Sequence, residues 1–199
     1  MFINTTAIGA VEHALNIHPI AVKPGDAVLV SGDLGRHGTA ILVAREELGF
    51  RSALESDLAP LHRVVQDLIE HGVHLHCLRD LTRGGLASAI DEIARGAGVQ
   101  IELVEETIPL DPAVQSACEL LGLDPLAMAN EGRMVVICPA SSVELALKQL
   151  RRHHPEACRI GTVMERRKAQ PLNPVSLCNH LGVLRPLELG RGEQLPRIC

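Results

Sequence analysis

The sequence predicts an α/β or α+β domain in which helices cover a sheet, and three observations carry that expectation. Short apolar runs alternate with amphipathic stretches along most of the chain. The stretches repeat apolar residues at i, i+3, i+4 and i+7. The apolar content, 46% of 199 residues, is aliphatic, with no Trp, no Tyr and two Phe.

The elements follow in order. Residues 2–8 alternate like a strand but have nothing before them to pair with, so they read as the last strand of another unit. Residues 27–31, after Lys23-Pro-Gly-Asp, predict a buried strand, and 39–48 a helix. Leu61, Val64, Val65, Leu68 and Ile69 form a helical stripe that stops at Gly72. Residues 74–78 predict a short strand. Leu86, Ala89, Ile90, Ile93, Ala94 and Ala97 make the next helical stripe, closed by Gly98. Strand 99–104, helix 112–121, strand 134–137, helix 143–150 and strand 160–164 continue the alternation. Residues 165–180 are expected to be irregular, 181–189 to hold one more strand, and 190–199 to be a flexible tail. No internal repeat is visible.

Charge and composition exclude several functions. The chain carries 19 basic and 24 acidic residues, net −5. The acidic ones concentrate before residue 150 and the basic ones after it. An acidic body argues against nucleic acid as a partner, and the scarcity of aromatic rings removes base-stacking platforms. The basic C-terminal portion either docks on an acidic partner or is solvated. No apolar run exceeds five residues, Met134 to Cys138 being one, so no membrane-spanning helix is expected. The first residues lack the basic start and apolar core of a signal peptide. Six cysteines without a Cys-x-x-Cys pair suggest neither a zinc site nor a disulfide framework, and a reduced, cytoplasmic protein is the default expectation.

Four places could carry chemistry. The segment 78–86 leaves a strand, makes a glycine-rich turn at Gly84-Gly85 and enters a helix, an arrangement suited to a phosphate or other anion. Asp80, Thr82 and Arg83 sit on this turn. It also reads as a plain tight turn in which Thr82 or Asp80 caps the helix, and spacing leaves both readings open. Ser31-Gly-Asp-Leu-Gly-Arg-His37-Gly38 is a second, weaker strand-turn-helix junction. Asn130-Glu131-Gly132 precedes a buried strand and would hold a carboxylate at a sheet edge, where Glu131 is either a general base or a turn residue. The pairs His74/His76 and His153/His154 have no ligand-spaced partners, so no metal site is expected. Finally, Cys199 ends the chain. It lies 11 residues beyond Glu188, an extended reach of roughly 36 Å. Arg197 offsets the terminal carboxylate beside this thiol, which is a carrier nucleophile or an accidental terminal cysteine.

Together, Phe-Ile-Asn-Thr-Thr-Ala, Ser-Gly-Asp-Leu-Gly-Arg-His-Gly, Asp-Leu-Thr-Arg-Gly-Gly-Leu, Cys-Glu-Leu-Leu-Gly-Leu-Asp, Asn-Glu-Gly-Arg and the final Leu-Pro-Arg-Ile-Cys resemble the HypE family. These are the carbamoyl dehydratases of nickel-iron hydrogenase maturation, within the aminoimidazole-ribonucleotide-synthetase-like group. The resemblance runs from Phe2 to Cys199 and implies the C-terminal domain of that fold, a mixed sheet covered by helices. It implies residues 1–20 as the last strand and linker of an N-terminal ATP-binding domain, 21–188 as the synthetase-like domain, and 189–199 as a flexible tail ending in the carrier cysteine. It implies that Cys199 accepts a carbamoyl group from the HypF carbamoyltransferase and that ATP-dependent dehydration turns it into a thiocyanate. Cyanide then passes to iron on a HypC–HypD complex. Under this resemblance Glu131 is the base, and Asp80, Thr82, Arg83, Gly84 and Gly85 line the tail or nucleotide cleft. Asn130, His37 and Arg197 support them. ATP and Mg2+ would be held mostly by the N-terminal domain, which also supplies a homodimer interface. The alternatives are a non-catalytic carrier or docking fragment and a related ATP-dependent synthetase.

Overall fold

A seven-stranded mixed sheet organises the chain, in the order β2-β4-β1-β5-β3-β6-β7. The computed structural model describes residues 4, 6, 8–45, 54–166 and 173–189. The strands are β1 (Ala27–Val30), β2 (Cys77–Asp80), β3 (Gln100–Val104), β4 (Met134–Cys138), β5 (Cys158–Met164), β6 (Val175–Cys178) and β7 (Leu184–Pro186). All neighbours pair antiparallel except β3 and β6, which run parallel.

Central β1 and β4 are buried on both faces, which is why their sequences, Ala-Val-Leu-Val and Met-Val-Val-Ile-Cys, are continuously apolar. Val28, Val30, Val135 and Ile137 face α3 (Gly85–Ala97), whose Leu86, Ile90 and Ile93 are almost wholly buried. Each such side chain contributes about 1.5–3 kcal/mol of burial. Ala27, Leu29, Met134, Val136 and Cys138 face the opposite way, under α2 (His62–Glu70) and α5 (Val143–Leu150). A small third cluster joins α1 (Arg36–Arg45) to α4 (Pro112–Leu121) through Leu42, Val114, Cys118 and Met128.

The other half of the sheet differs. Ile101, Leu103, Ile160, Val163, Val175 and Leu177 join the α3 core, whereas Glu102, Thr162 and Ser176 between them are only half-buried and Met164 is exposed. Among the described residues no helix covers this second face of β3, β6 and β7. A cavity of about 180 Å³ opens there, between Glu102, Met164, Ser176 and Arg185.

The structure corrects four expectations. Residues 165–180 are not irregular throughout, because Val175–Cys178 pairs with β3. The strand expected at 74–78 runs over Cys77–Asp80, with His76 still donating its N–H to the Ile137 carbonyl at 2.9 Å. The last strand is only Leu184–Pro186. Helix α1 starts at Arg36, three residues before its expected start. The strand expected at 2–8 lies largely outside the described residues, as does the tail 190–199.

Candidate active site

The C-terminal ends of β1 and β2 and the start of β4 share one end of the sheet, because Val30 pairs with Val135 and Asp80 with Met134. Hydrogen bonds join the connecting loops at that end to one another. Asn130, 1% exposed, joins three of them. Its Oδ1 accepts the Gly35 amide at 2.8 Å, and its Nδ2 donates to the Leu81 and Met128 carbonyls at 3.1 and 3.2 Å. The Asn130 amide also donates to Leu81, at 2.9 Å. Asn130 is therefore satisfied structurally and has no spare donor for a ligand.

The Gly84-Gly85 turn is tied to the same place. Gly84 is the N-cap of α3 at φ +77°, with no side-chain capping bond, so neither Thr82 nor Asp80 caps this helix. Thr82 instead donates its hydroxyl to Asp80 at 3.2 Å, and the Gly85 amide donates to the Thr82 carbonyl at 3.0 Å. A Cβ on Gly85 would lie 2.4 Å from the Met128 carbonyl oxygen and 2.6 Å from that of Leu126. Close backbone packing thus requires glycine there, whatever else the turn binds. Asp80 and Arg83 are exposed at its rim.

A buried charge network closes the third side. Arg133 donates to Asp33 Oδ1 at 2.6 and 3.2 Å, and Arg36 reaches both Asp33 Oδ2 and Asp111 Oδ2, at 2.5 and 2.9 Å. Burial pushes the Asp33 carboxyl up, but the hydrogen bonds and charges of Arg133 and Arg36 outweigh it and hold it below the usual carboxylate range. His154 is held below its ordinary value by burial and by the charges of Arg133 and His153.

Glu131 stands apart from these satisfied groups. Its main chain is held on both sides, its N–H by Asp57 Oδ1 at 3.3 Å and its carbonyl by the Ala59 amide at 3.4 Å. Its half-exposed carboxylate forms no hydrogen bond or ion pair among the described residues. His37 on α1 meets the same segment, with Nδ1 and Ser56 Oγ hydrogen-bonded at 2.8 Å. Of the residues expected to act, the structure gathers Asn130, Glu131, Asp80, Thr82, Arg83, Gly84, Gly85 and His37 at this end of the sheet. Cys199 and Arg197 lie outside the described residues. Asp57, Asp33 and Arg133 were not singled out from the sequence; Asp33 and Arg133 stand inside the quoted motifs, but no spacing rule marks them as partners. Among the described residues no group of three or more His, Cys, Asp or Glu is placed to hold a metal ion.

Four other thiols are poor nucleophiles. Burial pushes Cys77 and Cys138 up to about 11, and raises Cys118 and Cys158 as well. The five described cysteines are unpaired, and no helix among the described residues is long and apolar enough to cross a membrane.

Residues 23–171 match the model of AIR synthase related protein, C-terminal domain. The carbamoyl dehydratase HypE of Azotobacter vinelandii is 44% identical over 203 residues, which take in 100% of this chain and 58% of that protein. Among solved structures, hydrogenase maturation protein HypE in complex with ATP superposes with a TM-score of 0.84 at 40% identity, covering 92% of this chain and 55% of that one. A HypE–HypF complex gives 0.83 at 37%, covering 90% and 58%. The chain thus spans rather more than half the length of the relatives it matches.

Proposed function

The chain belongs to the AIR synthase related protein family, C-terminal domain, with likeness to HypE over its whole length, and from that premise we propose that it is the C-terminal part of a carbamoyl dehydratase in nickel-iron hydrogenase maturation. In this reading Cys199 carries the substrate as a thiocarbamate, S–C(=O)–NH2. Dehydration needs two events. The amide oxygen, a poor leaving group, takes the terminal phosphoryl group of ATP, releasing ADP and one amide proton. Loss of the second N–H proton then expels phosphate and leaves S–C≡N. Glu131 is the proton acceptor. The observation that carries this role is the contrast at one residue: a backbone bonded on both sides and a half-exposed carboxylate with no hydrogen bond or ion pair among the described residues. The raised thiols of Cys77, Cys118, Cys138 and Cys158 support selective carbamoylation of Cys199.

ATP with Mg2+ is proposed to be held mainly by an N-terminal domain of the kind HypE carries, with Asp80, Thr82, Arg83, Gly84 and Gly85 facing the cleft and Arg197 and His37 guiding the tail. HypF as carbamoyl donor, a HypC–HypD complex as acceptor, a homodimer and a cytoplasmic location complete the proposal. The domain boundaries at 20 and 188 belong to it too.

The test supplies this chain, joined to the N-terminal part of HypE from Azotobacter vinelandii, with HypF, ATP and carbamoyl phosphate. Intact mass distinguishes thiocarbamate from thiocyanate. Glu131→Gln is expected to accumulate thiocarbamate on Cys199, and Cys199→Ala to abolish labelling. Wild-type thiocyanate yield from Glu131→Gln assigns Glu131 to the turn alone.

A further inference from the structure

We infer that Asp57 is a positioning residue that aims the Glu131 carboxylate, an inference that rests on the general-base reading above. Asp57 is a buried carboxylate, 6% exposed, with no cationic partner among the described residues. Its two oxygens accept main-chain amides instead, Glu131 N–H at 3.3 Å and Gly132 N–H at 3.1 Å. Ala59 returns a bond to the Glu131 carbonyl. The two segments touch so closely that a Cβ on Gly132 would lie 2.0 Å from the Asp57 carbonyl oxygen. Both peptide planes flanking Glu131 are thereby fixed, and with them the direction of its Cα–Cβ bond. Next to Asp57, Ser56 bonds His37, so one short strap from residue 56 to 59 spans α1 and the Asn-Glu-Gly turn.

Burying an unpaired carboxylate is costly, and a neutral side chain would fill the same space more cheaply. What the charge adds is stronger, more directional acceptance of N–H groups than a neutral carbonyl provides. Displacing a reacting group by about 1 Å costs on the order of 100-fold in rate. Rotating the Glu131 peptide would move its carboxylate by that much.

Single-turnover conversion of thiocarbamate to thiocyanate is the measurement, in the joined chain described above. Asp57→Asn, which keeps one accepting oxygen, is expected to slow dehydration about 10-fold and Asp57→Ala about 100-fold, with carbamoyl loading of Cys199 unchanged. In the Glu131→Gln background, Asp57→Ala is expected to slow the residual rate less than twofold, because its effect passes through Glu131. Wild-type rates in both Asp57 variants overturn the inference while leaving the Glu131 assignment standing. A further 10-fold loss in the Glu131→Gln background also overturns it, since Asp57 would then serve the fold at large. Wild-type dehydration by Glu131→Gln alone is the separate result that sinks the base reading itself. Should Asp57→Ala fail to fold, the near-isosteric Asn variant carries the same comparison.

Discussion

The two halves of the sheet are built to different standards. Around β2, β4 and β1, helices cover both faces and four loops are cross-bonded through Asn130, Asp57 and the Asp33–Arg133 pair. Around β3, β6 and β7, only the α3 face is covered, and the second face carries Glu102, Thr162, Ser176 and Met164 in contact with water. Strand pairing suffices to keep a strand in place. Holding a single carboxylate in a chosen direction takes buried polar groups that bond between loops. The difference teaches where this fold spends its rigidity.

Substitutions should sharpen that contrast. The largest loss is expected from Arg133→Met, which strips Asp33 of its buried partner and should cost about 3 kcal/mol by chemical denaturation, the remaining Arg36 pair limiting the damage. Gly132→Ala comes next, at about 2–3 kcal/mol, because its Cβ meets backbone rather than a flexible side chain. Gly182→Ala in the open half meets nothing within 4 Å and suffers only its φ of +74°, about 1 kcal/mol. Equal losses from the two glycine variants would erase the proposed difference between the halves. Met164→Gln, on the open face, should stay within about 0.5 kcal/mol.

Acidity offers a finer probe. The Asp33 carboxyl lies below its unfolded value of about 3.9, so its contribution is complete above that pH and fades as pH falls through the lower folded value. The difference in melting temperature between wild type and Asp33→Asn should therefore narrow below about pH 4. His154, also held low, works over a higher window. Between its unfolded value of about 6.5 and its lower folded value the unfolded chain binds the extra proton, so stability falls on acidification. His154→Gln should flatten the melting curve there. A slope unchanged by the substitution would show that His154 does not carry this pH dependence.

What the sequence discloses follows the same division. β1 and β4 are legible because burial on both faces demands continuous apolar runs, and α2 and α3 because one-sided burial leaves a stripe. β6 was not legible: four residues, Val-Ser-Leu-Cys behind Pro174, carry too short an alternation, and their partner β3 begins some seventy residues earlier. The start of α1 was misplaced since the residue before Arg36 is Gly35, which has no side chain to announce a helix start. In the site, Asn130 and Glu131 stand in a recognisable Asn-Glu-Gly motif, but Asp57 does not. Its bonds reach 74 and 75 residues along the chain, and locally it is one acidic residue ahead of a helix. The Gly84-Gly85 turn was left open between an anion site and a plain tight turn, and its tightest visible constraint is the approach of two carbonyls.

The strand order has a consequence for how the chain is made. Among the described strands, only β6 and β7 are neighbours both in the sheet and in sequence. β1 waits for partners that begin at Met134 and Cys158, more than a hundred residues later. At about 5–20 residues per second, several seconds pass on the ribosome with an apolar strand unpaired. High contact order of this kind also slows the search for the native pairing, since loop closure comes before any reward from contact. Refolding is thus expected to run slowly and to lose material to aggregation as concentration rises, and shielding by a chaperone should raise yield more than lowering the denaturant faster.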